Sequence, residues 1–506
     1  MAESDGSKGS GIRNQFFAVI VINILTFNQG CAIGWVSPSL PILTDVDNSP
    51  MGAPLTVLQV SLVASIFCIG AIFGTPVVGW LADRIGRKRA SLASALPFMI
   101  GWTLKLVWLN PTALICARLL IGFGGAGTLL IAPLYSSEVA SVEARGMLGT
   151  MLTFAFNTGV VVTYALGAYF SYFIVLTIML TIPFLFFILM SRMPETPSYL
   201  VKTNQLKEAG EALAWLRRVP IDSSLVKTEL NQLIYEAELS EKRNYTKTGG
   251  ENVSPWKFLL NSPPSRKALT LTVSLLTAQS FIGIFAVITY ANNIFEEAGS
   301  TMSSSMASIV VGFLQLAGSV VAVSLIERLG RKILLISSCC TVILSMFSLG
   351  TYFYIRDTGY DVSPYGWIPV TSLSVCVSTF SMGIGPIPFI LPSEVFLVQV
   401  RGLATSISLT WMWICTFFVS QFFAPLVIMF GSHIVFWGFG FVGCIAIFIS
   451  VMFQPETKGK SIEEIVAHFG GKKFTHSQEI NAEEVGEVFL KSKLVINDTT
   501  EEQDHY

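Results

Sequence analysis

Charge is what this sequence has least of. Only 13% of its 506 residues are Asp, Glu, Lys or Arg, and 52% are hydrophobic, whereas an average soluble domain is about 25% charged. One soluble core cannot enclose that much apolar surface. Histidine is rarer still, limited to His433, His468, His476 and His505, the last three in a polar tail. There is no nucleophile and base pair, no metal-ligand spacing and no phosphate-cradling glycine loop. The chain therefore lacks the parts of an enzyme centre or a metal site, and no cofactor is expected. A net charge of -1 and a pI of about 6.5 offer nucleic acid no electrostatic footing. Cys31, Cys68, Cys116, Cys339, Cys340, Cys376, Cys415 and Cys444 stand in apolar stretches without a CxxC, so free, buried thiols are expected rather than a disulfide framework. The polar residues before the first apolar stretch, with Lys8 and Arg13, have no hydrophobic region and cleavage site of their own. The first apolar stretch is expected to stay as an uncleaved anchor.

What the chain has instead is apolar runs of about 20 residues, long enough to cross a ~30 Å hydrocarbon layer as helices. Twelve are read: Gln15 to Ser37, Val57 to Leu81, Ala90 to Leu109, Ala113 to Leu134, Leu148 to Phe170, Phe173 to Met190, Leu269 to Phe295, Ser305 to Ile326, Ile333 to Ile355, Trp367 to Leu391, Leu403 to Leu426 and Ile434 to Phe453. The fold class expected is an all-α membrane protein. Residues 1–14 form an amino-terminal segment, 15–190 a first half, 191–267 a linker of short amphipathic helices, 268–454 a second half, and 455–506 a polar tail, disordered after about 470.

Lys and Arg cluster after the even-numbered spans: Arg84, Arg87, Lys88 and Arg89 after span 2, Arg145 after span 4, the 191–267 interval after span 6, Arg328, Arg331 and Lys332 after span 8, and Arg401 after span 10. By the positive-inside rule both termini and the linker are expected in the cytoplasm, leaving the sequons at Asn244, Asn252 and Asn497 unused. Trp35, Trp108 and Trp367 are then expected at the outer interface, and Lys105 is expected to snorkel there.

The chain also repeats itself. Ser137-Glu138-Val139-Ala140-Ser141-Val142-Glu143-Ala144-Arg145-Gly146 and Ser393-Glu394-Val395-Phe396-Leu397-Val398-Gln399-Val400-Arg401-Gly402 share the pattern SEVxxVxxRG. Asp83-Arg84-Ile85-Gly86-Arg87-Lys88 answers Glu327-Arg328-Leu329-Gly330-Arg331-Lys332, and Pro194-Glu195-Thr196 answers Pro455-Glu456-Thr457. Two pseudo-symmetric halves of six spans each follow. Such halves place a ligand site between them near mid-membrane and expose it alternately to either side by rocking. The duplicated charges suggest a latch at the cytoplasmic face, with Asp83, Arg84, Glu138 and Arg145 in one half meeting Glu327, Arg331, Glu394 and Arg401 in the other; as a lone exposed pair contributes only about 0 to 1 kcal/mol, a network is required. Gly383, Gly385, Pro386 and Pro388 interrupt span 10, as a hinge at an outer gate or as a packing kink.

Gly79-Trp80-Leu81-Ala82-Asp83-Arg84-Ile85-Gly86-Arg87-Lys88, Pro194-Glu195-Thr196-Pro197-Ser198-Tyr199-Leu200, Gly385-Pro386-Ile387-Pro388-Phe389 and Pro455-Glu456-Thr457-Lys458-Gly459 resemble the signatures of the sugar porter family of the major facilitator superfamily, which contains the facilitative glucose transporters. The resemblance spans about residues 15 to 465, and Ser37-Pro38-Ser39-Leu40-Pro41 is most similar to insect trehalose and hexose facilitators. It implies the major facilitator fold, a small sugar as partner, the bilayer as surroundings, and function as a monomer in the plasma membrane.

Neutral amides suit a sugar, because each hydroxyl donates and accepts and no charge is buried. Gln279 in span 7 and Gln315 in span 8 are such amides, either ligand contacts or glue between helices. The resemblance puts both at sugar-contacting positions. At other such positions the family's pattern is broken: Ser280, Phe285, Thr153, Phe389, Ser381 and Met412 replace polar or larger residues. Phe389 and Trp413 offer faces on which a sugar ring can stack, or pack simply as apolar side chains. Arg118 lies deep in span 4, and span 1 has no Asp, Glu or His to receive a proton. Passive uniport of a hexose or trehalose is the reading these residues favour. Proton-coupled symport, and a sugar sensor of the same fold that carries no flux, remain as alternatives.

Overall fold

The computed structural model describes residues 3–47, 49–141, 144–246, 255–299, 302–396, 398–458, 460, 464–465 and 468–469. Among these residues there is no strand. Twelve helical stretches are long and apolar enough to cross a membrane: Ile12–Thr44, Val57–Ile85, Arg87–Val107, Pro111–Val139, Leu148–Tyr169, Tyr172–Ser191, Pro263–Thr289, Ser304–Ile326, Arg331–Asp357, Ser363–Pro392, Val400–Phe430 and Ser432–Phe453, here spans 1 to 12. The expected disordered tail, Asn252 and Asn497 lie outside the described residues, as does the side chain of Asn244.

Local chemistry sets the helix ends. Span 2 starts at a reciprocal cap, Gln59 N–H donating to Thr56 Oγ1 while the Gln59 side chain accepts from Thr56 N–H. Span 4 starts with Pro111 behind Asn110, whose side chain accepts from Ala113 N–H at 2.7 Å. Gly86 (φ 94°) and Gly330 (φ 87°) turn the chain from span 2 into span 3 and from span 8 into span 9. A β-carbon would lie 2.2 Å from Glu195 Oε2 at Gly86 and 2.7 Å from Glu456 Oε2 at Gly330. Both the left-handed backbone and the close carboxylate require glycine there.

The internal repeat reappears as packing. Spans 2 and 4, 3 and 4, 3 and 6, and 1 and 5 pack together, and so do spans 8 and 10, 9 and 10, 9 and 12, and 7 and 11. The halves meet where span 2 lies against span 11 and span 5 against span 8. Between the halves, helices Pro197–Lys202, Leu206–Arg217 and Ser224–Thr246 pack on one another. Leu206–Arg217 turns Ala209, Gly210, Ala212, Leu213 and Leu216 inward. Asn14 Nδ2 donates to Trp215 O and Arg217 Nη1 to Val139 O, tying this linker to spans 1 and 4.

Several expectations need correction. Span 1 runs on past a turn at Trp35 into helix Val36–Thr44. Span 7, expected unbroken, is interrupted around residues 282–283, where Gly283 has φ 83°, and resumes as Ile284–Thr289 and Ala291–Glu297. Trp108 and Trp367 are 60% and 55% exposed, but Trp35 is buried inside the protein. Lys105 does not snorkel: it is 0% exposed, with Nζ 3.5 Å from the centre of the Trp35 ring and 4.2 Å from that of Trp102. All eight cysteines are free, yet Cys116, Cys340 and Cys444 are exposed on helix surfaces rather than buried.

Candidate functional site

The break in span 10 creates the first contact of the site. Helix Ile368–Met382 stops before Gly383 and helix Ile387–Val395 follows the turn. Prolines 386 and 388 lack N–H groups, and Phe389 N–H donates to Pro386 O instead of to Gly385 O. The Gly385 carbonyl is thus available, and Gln279 Nε2 from span 7 donates to it at 3.0 Å. Gln279 Oε1 is buried with no hydrogen-bond partner among the described residues. The neighbouring Ser280 donates to Leu276 O within its helix and accepts from Thr416 Oγ1 of span 11.

Three rings meet where span 2 approaches the other half: Trp413 of span 11 lies 5.7 Å from Phe67 of span 2 and 6.4 Å from Phe285 of span 7, edge-on to both. Trp413 Nε1 is buried and unpartnered. Phe389 and Thr153 are half-buried, Phe389 against the main core. Gln315 is joined to the other half, its Nε2 donating to Asn157 Oδ1 at 3.0 Å. Buried polar atoms without partners are costly in a low-dielectric interior. Gln279 leaves an acceptor, and Trp413 and Asn157 leave donors, unused among the described residues; a hydroxyl group, which both donates and accepts, can satisfy either kind. A surface hollow of about 490 Å³ lined by Leu104, Trp108, Asn110, Thr112, Ala113 and Cys116 includes none of these residues.

Arg118 is completely buried and forms no ion pair with a carboxylate among the described residues. Its Nε donates to Val63 O at 2.9 Å and its Nη1 to Ala32 O at 2.6 Å, and its guanidinium lies 5.2 Å from the Phe67 ring centre.

At the ends bearing the repeated motifs, Arg87 is the hub in one half. It donates to both oxygens of Glu138, contacts Asp83 at 3.5 Å and donates to Ala82 O. Glu195 accepts from the N–H groups of Arg87 and Lys88, which open span 3. The other half repeats this: Arg331 donates to Glu394, Thr457 Oγ1 donates to Glu394, and Glu456 accepts from the N–H groups of Arg331 and Lys332, which open span 9. In both halves a carboxylate meets the positive end of a helix. Burial pushes the Glu195 carboxyl above its ordinary range despite those donors. Burial raises Glu456 as well, but the N–H groups of Lys458, Arg331, Lys332 and Thr457 outweigh it and hold the carboxyl low.

The expected latch is not what these pairs form. Each ion pair between described residues of the spans joins elements of one half. Arg84 is exposed and lies over Trp80, and Arg401 Nη2 reaches Phe396 O of its own half. The side chains of Arg145 and Glu327 lie outside the described residues. Bonds that do cross the halves are elsewhere: Ser65 Oγ to Gln421 Oε1, Tyr164 hydroxyl to Ile288 O, and Asn292 N–H to Ser37 Oγ. The last two join the end opposite the charged motifs. The sequence places Arg87 in the repeated motif but not in the latch, which holds its counterpart Arg331; the repeat itself was the signal. For Asn157, Phe67 and the surroundings of Lys105 there was no comparable signal.

A family described as sugar (and other) transporter matches residues 18–469. The chain is 33% identical over 469 residues to a facilitated trehalose transporter Tret1-2 homolog of Drosophila sechellia, covering 93% of each chain. It is 32% identical over 457 residues to facilitated trehalose transporter Tret1 of Apis mellifera ligustica, covering 90% of this chain and 88% of that protein. Its fold is similar to a structure of the proton:xylose symporter XylE bound to 6-bromo-6-deoxy-D-glucose, with TM-score 0.73 and 23% identity over 91% of this chain and 100% of that one. The inward open conformation of the xylose transporter XylE from E. coli gives TM-score 0.72 at 22% identity, covering 90% of this chain and 99% of that one.

Proposed function

Because the chain belongs to the sugar (and other) transporter family, we propose that it carries a hexose or trehalose passively across the plasma membrane, by alternating access, with both termini in the cytoplasm. The surroundings of Arg118 carry the passive part of this reading. Two backbone carbonyls, Val63 O and Ala32 O, receive the guanidinium, and span 1 holds no Asp, Glu or His. A guanidinium keeps its proton at physiological pH and a backbone carbonyl takes none, so this position has nothing to load and unload with each cycle.

The charged motifs serve the cycle by stiffening each half. Arg87 binds the start of span 3 to the end of span 4, and Arg331 does the same for spans 9 and 10. Each half then moves as a body, rocking on the contacts of span 2 with span 11 and span 5 with span 8. The Lys and Arg bias of the motif-bearing ends supports placing them in the cytoplasm, and with that orientation the bonds of Ser37 with Asn292 and Tyr164 with Ile288 close the outer end. Gln279, Trp413 and the amides of spans 5 and 8 line the path. Uptake of labelled glucose and trehalose into proteoliposomes, with and without an imposed pH difference, tests the proposal: equilibration that ignores the gradient supports it.

A further inference from the structure

Asn157 on span 5 and Gln315 on span 8 are 2% and 4% exposed, and they meet across the boundary between the two halves. Gln315 Nε2 donates to Asn157 Oδ1 at 3.0 Å. That bond engages the donor of one amide and the acceptor of the other. What is left is complementary: the carbonyl of Gln315 accepts, and Asn157 Nδ2, buried and without a partner among the described residues, donates. A sugar hydroxyl that accepts from Nδ2 and donates to Oε1 satisfies both groups at once. An apolar side chain at 157 leaves the Gln315 amide free to turn, and so free to offer a ligand the wrong group.

We propose that Asn157 is a specificity-determining residue for transport, which fixes the orientation of the Gln315 amide across the halves and offers its own Nδ2 to the same ligand hydroxyl. This rests on the sugar-transport reading above. The pairing is indifferent to charge and selects ligands by the direction of a hydroxyl.

The test is initial-rate uptake of labelled glucose and labelled trehalose into proteoliposomes by the wild type, Asn157→Leu, Gln315→Leu and the double variant. Loss of a neutral hydrogen bond predicts that Asn157→Leu raises KM by about three- to tenfold with Vmax within about twofold. The preference between the two sugars should shift too. In the Gln315→Leu background the Asn157→Leu effect on KM should largely vanish, because the two residues act as one unit. Asn157→Ser, whose hydroxyl stops short of Gln315, gives the same readout if the leucine variant does not reach the membrane. An unchanged KM, effects that multiply in the double variant, or a fall in Vmax alone overturns the proposal. Absence of uptake by the wild type overturns the transport reading, and this inference with it; wild-type uptake with unchanged Asn157 variants overturns this inference alone.

Discussion

Gln279 of span 7 holds the carbonyl of Gly385 in the break of span 10, Nε2 to O at 3.0 Å. One half of the amide thus fastens two interrupted helices together, and the other half, Oε1, is left without a partner.

Gln279→Ala should therefore weaken sugar binding by about 0.5 to 1.5 kcal/mol, roughly a two- to twelvefold change, while the protein still reaches the membrane. Equilibrium binding to purified protein checks this. Wild-type affinity in a correctly inserted variant would remove Gln279 from the site.

Lys105 sets two effects against each other. Contact with two indole rings is worth about 2 kcal/mol or more each when desolvated. Burying an ammonium without a carboxylate or hydrogen bond costs several kcal/mol, and Lys105 Nζ has neither partner. The two effects of the charge nearly cancel, and what remains is the stem filling space. Lys105→Met should leave the unfolding temperature in detergent unchanged or higher, whereas Lys105→Ala should lower it through the cavity left behind. Equal losses in both variants would show that the charge itself stabilises.

The two equivalent ion pairs differ in burial: side chains are 9% and 13% exposed for Arg87 and Glu138, against 21% and 20% for Arg331 and Glu394. Arg87→Met strands a buried carboxylate, at a loss of about 3 to 5 kcal/mol. Arg331→Met leaves Glu394 wetter and still hydrogen-bonded to Thr457, so its loss should be smaller. Thermal unfolding of both variants measures the difference, and equal or reversed losses would contradict it.

Glu195 and Glu456 occupy repeated positions yet shift in opposite directions from an ordinary value of 4.5. The raised Glu195 carboxyl contributes stability that is full below that value and fades as pH rises through its folded value. The lowered Glu456 carboxyl contributes stability that is full above it and fades as pH falls further. Relative to Glu195→Gln, the wild type should lose stability as pH rises above about 4.5. Relative to Glu456→Gln, it should lose stability only below about pH 4.5. Parallel pH curves for the two comparisons would contradict the assignment.

Which parts of this molecule were legible in its sequence follows from what pattern can encode. Span lengths, the duplication and the Gly-Pro break of span 10 are local features, and each leaves a local mark. The ends of spans 1 and 7 were misread because Trp35 and residues 282–283 interrupt helices without interrupting hydropathy. Lys105 was misplaced because its depth along span 3 is visible in sequence, but the face it turns towards Trp35 and Trp102 is not. The charged motifs were found, yet their partners were assigned across the halves. Pairing within a half depends on Gly86 and Gly330 bringing each helix start against Glu195 and Glu456, a relation between distant segments. Asn157 was unremarkable until Gln315 was placed beside it.

The central claim is that transport needs no proton, and steady-state accumulation in proteoliposomes tests it most directly. Labelled sugar inside and outside should reach equal concentrations whether or not a pH difference is imposed, and a protonophore should change nothing. Accumulation above the outside concentration that collapses when the protonophore is added would contradict the account.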